Sequence, residues 1–248
     1  MLLHLCTWPE VEQRLKASTG IIIPIGSTEQ HGPNGLVGTD AICGEVFGRA
    51  VGDATDALVA PTIAVGMAQH HLGFAGSMTL RPSTFIAVVR DMVQSLARHG
   101  FERFYFVNGH GGNIAPLSTA FSEIYAEMSL RPAGNAAVLR CRQKAWWQTE
   151  AAKKITTELY GDSEGSHATP SEVSVTQYVY PEAIKRAAMQ PEIAPKGEFA
   201  DAADFRRRFP DGRMGSNPAL ATPEAGKRII DAVVPEIAEE YRRFLVEA

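Results

Sequence analysis

The chain reads as an α/β protein, a three-layer α/β/α sandwich built on a mostly parallel sheet. Three observations predict it. Short, continuous β-branched and apolar runs mark strands buried on both faces. Other segments place apolar residues at helical spacing behind good capping residues. The two kinds alternate along the chain, which is the pattern of βαβ units. The chain has 248 residues, 45% of them hydrophobic, enough for one large core. No repeat or linker divides it, so residues 1–248 are taken as one domain.

Each element follows in order. "GIIIPIG" (20–26) is a buried strand. "TDAICGEVFGRAVGD" is a helix, with Thr39 or Asp40 as its cap. "ALVAPTIAV" (57–65) is the second strand, followed by a Gly-containing loop. In "STFIAVVRDMVQSLARHG", Ile86, Val89, Val93 and Leu96 share a helical face, Ser83 or Thr84 caps the start and Gly100 stops it. "RFYFVNG" (103–109) is the third strand. From Asn113 a helix lines up Leu117, Phe121, Ile124 and Met128. "AAVLRC" (136–141) is the fourth strand. Residues 222–245 close the chain as a helix capped by Thr222, with Pro223 at its first position and a kink expected at Pro235. The stretch 190–221, rich in Pro, Gly, Asp and Ala, reads as a surface excursion.

Composition narrows the function. The formal net charge is −4, and no basic face points to nucleic acid. The run Arg206–Arg208 reads as a solvated turn. Three cysteines without CxxC spacing argue against a disulfide framework or a zinc knuckle. The first residues lack the basic and apolar regions of a signal peptide. No apolar run approaches the ~18–20 residues of a membrane span. The expectation is a cytoplasmic protein with no membrane partner.

Chemistry gathers where strands end, the usual place for ligands in open parallel sheets. After the first strand, "GSTEQHGPNGLVGTD" carries Glu29, His31 and Asp40. In extended chain Glu29 and His31 point to one side, and Asp40 returns at the start of a helix. After the third strand, "NGHGGN" (108–113) projects His110 from a Gly-rich turn. Two histidines and two carboxylates without thiolate suit Zn²⁺ or Mn²⁺, and an aspartate between two ions can bridge them. Other readings stay open. Asp40 can simply cap its helix, Glu29 and His31 can be solvated, and "NGHGGN" can be a backbone nest for a phosphate or nucleotide. In "SEGSHATPSEVS" (163–174), Thr169, Pro170 and Glu172 form a capping box, a complete structural role for Glu172, with His167 just ahead.

"PIGSTEQHGPNGLVGTD", "NGHGGN" and "SHATPSEVS", in that order, resemble the creatininase (creatinine amidohydrolase) family, as does "HLGFAGSMTL" (71–80). The resemblance implies a creatininase-like three-layer fold and a two-metal centre, Zn²⁺ and/or Mn²⁺, that hydrolyses a carbon–nitrogen bond of a small amide. It also implies a homo-oligomer, commonly a hexamer. Carried over by motif, Glu29, His31, Asp40 and His110 become metal ligands, with Asp40 bridging. Glu172 falls at the acidic position of the third motif, and His167 at the histidine that handles protons near the leaving group. Apart from the resemblance, His71 reads either as shaping the substrate pocket or as a solvent-facing loop histidine. Creatinine-cleaving members carry an aromatic and an acidic residue where this chain has Gly111 and Gly112. They also carry a Trp where it has Ser163. The first departure bears on the fifth metal ligand; the second points away from creatinine itself, towards a formamide, another cyclic amide or a short peptide, unless Trp146 and Trp147 supply the cover.

Overall fold

Four parallel strands in the order β2-β1-β3-β4 form the middle layer of the fold. They are β1 (Gly20–Ile25), β2 (Leu58–Val59), β3 (Arg103–Asn108) and β4 (Arg140–Ala145). The computed structural model describes residues 1–130 and 138–247. Residues 136 and 137 of the expected fourth strand lie outside the described residues, and the rest of that strand is displaced toward its C-terminal side. The second strand is shorter than the run 57–65: Pro61 has no N–H to give a ladder. Beyond it, only Ile63 regains a pairing, with Ile25.

Alternation along the strands sorts the core into two faces. Ile21, Ile23 and Ile25 of β1, with Phe104 and Phe106 of β3, pack on one side against α3 (Pro82–Ala97) and α4 (Ile114–Leu130). Ile22, Tyr105 and Val107 face the other side. There α2 (Thr39–Thr55), α5 (Glu150–Tyr160) and α8 (Pro223–Val246) cover them, with α6 (Pro170–Val179) packed on α8. Two short helices complete the set, α1 (Trp8–Leu15) and α7 (Ala202–Arg208). Thr222 caps α8 through Ala225 N–H, and Pro235 lies inside that helix without ending it.

Three expectations need correction. The cap of α2 is Gly38, with no side-chain bond from Thr39 or Asp40; the Asp40 carboxylate is turned elsewhere. α3 starts before Ser83 or Thr84 could cap it, with Arg81 at the N-cap, because Pro82 supplies a ready-made first position. Residues 190–221 are also more than a surface excursion. Phe205, Phe209, Arg213 and Ser216 are fully or almost fully buried. The Arg213 guanidinium donates to the carbonyls of Pro191, Glu192 and Ser216 and pairs with Asp211. A buried charge so completely partnered pins the segment against the body.

Candidate metal centre

The first turn of α2 reaches the ends of two strands because glycines let it in. A Cβ on Gly26, after β1, or on Gly109, after β3, would overlap the backbone of Asp40. Gly109 N–H also donates to Ile25 C=O across the strands at 2.8 Å. The fully buried Asn113 ties the loops together: its Nδ2 donates to Gly26 C=O (2.9 Å), and its Oδ1 accepts from Met67 N–H (3.1 Å). Glu29, His31, Asp40 and His110 thus converge beyond the carboxyl end of the sheet, all of them buried.

Asp40 is central. Its Oδ1 lies 2.9 Å from His31 Nε2 and its Oδ2 2.8 Å from His110 Nδ1. The outer nitrogen of each imidazole faces a backbone carbonyl. His31 Nδ1 is 3.1 Å from Glu29 C=O, and His110 Nε2 is 3.0 Å from Met67 C=O. A carbonyl only accepts, so each outer nitrogen keeps its hydrogen, and the inner nitrogen is the one that deprotonation would free for a metal. Glu29 Oε2 stands 3.3 Å from His110 Nε2, and Glu29 Oε1 stands 3.1 Å from His71 Nε2.

Glu172 combines the two roles left open for it. The capping box forms: Thr169 N–H donates to Glu172 Oε1 at 2.6 Å and Thr169 Oγ1 accepts from Glu172 N–H. The same Oε1 is 3.7 Å from His31 Nε2. Two compact donor groups result, Glu29–Asp40–His110 and His31–Asp40–Glu172, and Asp40 belongs to both. His167 approaches Glu29 Oε1 through Nδ1 at 3.9 Å and joins a third grouping with Glu29 and His31.

The positive charge facing these carboxylates comes from histidines. Among the described residues, no Lys or Arg pairs with Glu29, Asp40 or Glu172. Both oxygens of Glu29 and Oδ2 of Asp40 are buried without a hydrogen bond of good geometry. Burial alone would lower the His31 pKa, but the Asp40, Glu172 and Glu29 carboxylates outweigh it and push it up to about 10. His110 is likewise pushed up to about 9 by Glu29 and Asp40 against its burial. Burial raises Glu172 to about 7, even though His31 pulls the other way. Two buried carboxylates, Glu29 and Asp40, and the half-buried Glu172 fit divalent cations. His167 differs: burial, with His71 and His31 beside it, holds its pKa well below the ordinary range.

Gly112 has no room for a side chain, since a Cβ would meet His110 Nε2 and Met67 C=O. An acidic residue there is impossible on this backbone, and Glu172 stands in the second donor group instead. At Gly111, by contrast, a Cβ meets nothing within 4 Å. The nest reading of "NGHGGN" weakens, because His110 N–H is taken by Asn108 Oδ1 and Asn113 N–H by His110 C=O.

A cavity of about 490 Å³ opens over the cluster, walled by Trp146, Trp147, His70, Phe199 and Met214 among others. That is ample for a small ligand. Ser163 does not line it. Trp146 is both core and wall, stacked on Phe47 at 4.9 Å. His71 is buried in the cluster, its ring 4.2 Å from that of His167. Sequence reasoning left out Gln30, whose side-chain nitrogen touches both of these rings. It also left out Phe205, which backs His71 edge-on at 4.7 Å. The glutamine, flanked by two ligand candidates, was the one available signal.

Comparison with known proteins agrees with this architecture. The family model for Creatininase: Creatinine amidohydrolase matches residues 4–241. The chain is 29% identical over 254 residues to the mycofactocin precursor peptide peptidase of Mycobacterium ulcerans (strain Agy99), covering 96% of this chain and 86% of that protein. It is 25% identical over 250 residues to the creatinine amidohydrolase of Pseudomonas putida, covering 95% and 94%. A solved creatininase variant of the Zn-Zn type superposes with a TM-score of 0.83 at 25% identity, over 99% of this chain and 98% of that one.

Proposed function

We infer that this chain, which belongs to the creatininase family, is a metal-dependent amidohydrolase that cleaves a carbon–nitrogen bond of a small amide at a centre of two divalent ions. The observation that carries the reading is the sharing of Asp40 between two donor groups, buried except for the half-buried Glu172, that no Lys or Arg neutralises among the described residues. Glu29, Asp40 and His110 would hold one ion; His31, Asp40 and Glu172 would hold the other. Nitrogen and oxygen donors without thiolate suit Zn²⁺ and Mn²⁺, and a Zn-Zn relative supports zinc. Bound there, such ions supply a water acidic enough to attack at neutral pH and a Lewis acid for the amide carbonyl.

The chain's own residues do the rest. Neutral His167 accepts the proton of the attacking water and returns it to the departing nitrogen. In the loop 109–112, Gly109 N–H and His110 N–H are already bonded within the protein. Only Gly111 and Gly112 are left to offer an N–H to an oxyanion. The Trp146 and Trp147 wall helps to keep bulk water away.

A second reading has its own support. The open space at Gly111, the absence of Trp at position 163 and the similarity to a peptide peptidase favour an amide bond in a short peptide. Turnover assays on creatinine, other cyclic amides, formamides and short peptides, with the protein's metal counted alongside, separate the readings. A non-catalytic phosphate or nucleotide binder would carry no stoichiometric zinc or manganese. Family membership also favours a cytoplasmic homo-oligomer, a hexamer, which light scattering tests. No helix among the described residues is long and apolar enough to cross a membrane.

A further inference from the structure

Gln30 lies between two of the proposed ligands and is itself buried. Backbone groups fix its amide. Oε1 accepts from Gly32 N–H at 2.9 Å, and Nε2 donates to Gly212 C=O at 2.9 Å. Exchanging the two atoms would set oxygen against oxygen and N–H against N–H, so the orientation follows from the network.

One hydrogen remains on Nε2, and two imidazole nitrogens lie near it, His71 Nδ1 at 2.9 Å and His167 Nε2 at 2.8 Å. The backbone carbonyl of Gln30 decides between them. It is 2.9 Å from His167 Nε2, and no other donor reaches it among the described residues. A carbonyl accepts only, so the His167 hydrogen sits on Nε2 and is donated there. The spare amide hydrogen of Gln30 then goes to His71 Nδ1. A neutral imidazole carries one N–H. His167 is therefore bare at Nδ1, and His71 carries its hydrogen on Nε2, facing Glu29 Oε1. The opposite assignment leaves both the Gln30 carbonyl and His71 Nδ1 without a donor.

We propose that Gln30 is a positioning residue that sets two histidine tautomers at once, presenting the bare Nδ1 of His167 to the cavity and an N–H of His71 to Glu29. This rests on the amidohydrolase reading above and deepens it. His167 is set to take a proton first: one proton of the attacking water moves to Nδ1, the Nε2 hydrogen stays on the Gln30 carbonyl, and the Nδ1 proton then passes to the leaving nitrogen. His71 offers no lone pair to a metal; its Nε2 stands 3.1 Å from Glu29 Oε1, at ion-pair distance though without good hydrogen-bond geometry, and so helps to place that carboxylate.

The test is a long-range ¹H–¹⁵N correlation spectrum of zinc-loaded protein labelled at histidine nitrogens. Signals of His71 and His167 are assigned by single His→Asn variants. The expected result in the unmodified protein is the Nε2–H tautomer for both rings. In Gln30→Leu, which keeps the backbone carbonyl, His71 should lose its single tautomer while zinc content stays the same. On whichever amide the protein turns over, kcat should fall about 10- to 100-fold with KM little changed. An Nδ1–H signal on His167 in the unmodified protein overturns the proposal, whether or not Gln30→Leu folds. A Gln30→Leu spectrum identical to the parent does so too. The tautomers are read without substrate, so failure to hydrolyse any amide would sink the functional reading and leave this one standing.

Discussion

Glu172 Oε1 lies 3.7 Å from His31 Nε2 while it also accepts the Thr169 N–H at 2.6 Å. One oxygen at a helix start serves both the cap and the cluster, so the two roles can be separated by substitution. Glu172→Gln keeps an acceptor for the capping box but removes the charge. It should keep the stability of the metal-free protein and lose metal affinity. Glu172→Ala should lose affinity and about 1 kcal/mol of stability as well. Denaturant melts of metal-free protein, paired with metal titrations, read the two effects. Equal metal affinity in all three proteins would remove Glu172 from the ligand set.

Asp40→Ala should strip most of both ions, since each donor group loses a member. The stabilisation given by metal should go with them. For one site at 100 times its Kd that amounts to about 2.7 kcal/mol. Metal analysis after gel filtration and melts with and without added zinc check this. Two retained equivalents would contradict the bridging role.

His167→Ala should keep its metal and lose about 10²- to 10⁴-fold in turnover. Its Nδ1 is within reach of Glu29, so loss of one equivalent of metal would instead make His167 a ligand.

Metal-free protein should lose stability as pH rises. The pKa values of His31 and His110 are raised from 6.5 to about 10 and about 9 by the carboxylates around them. Their contribution is fully present below about pH 6.5 and is lost as pH climbs through 9 to 10. With divalent cations in place of those protons, the decline should vanish. Urea melts from pH 6 to 10, with and without zinc, decide it, and an identical slope in both series would count against the cluster as a metal site.

Much of this was legible in the chain, for physical reasons that differ by residue. Glu29, His31, Asp40 and His110 stand out because buried runs such as "IIIPI" and "FYFV" end abruptly in ionisable groups. The Thr169–Glu172 box is equally readable, being local. The box at Thr7 and Glu10 that starts α1 has the same form but no buried residue behind it, and it passes as loop. Helix α5, "EAAKKITTELY", has only a thin apolar stripe and takes its stability from packing on α8. The packing of Phe205 on His71 joins residues far apart in the chain, and the contact of Gln30 with His167 joins residues 137 positions apart, as does the still longer-range Gln30–Gly212 bond. No periodicity reports such contacts.

The most direct measurement is a count of bound metal together with hydrolysis in one preparation. Purified protein is assayed on the amide panel as isolated, after chelation, and after return of Zn²⁺ or Mn²⁺, with metal per chain determined at each stage. The account expects two equivalents per chain, loss of carbon–nitrogen bond hydrolysis when they are removed, and recovery as the second equivalent returns. Hydrolysis that survives complete metal removal, or a chain that binds no divalent ion at all, would contradict it.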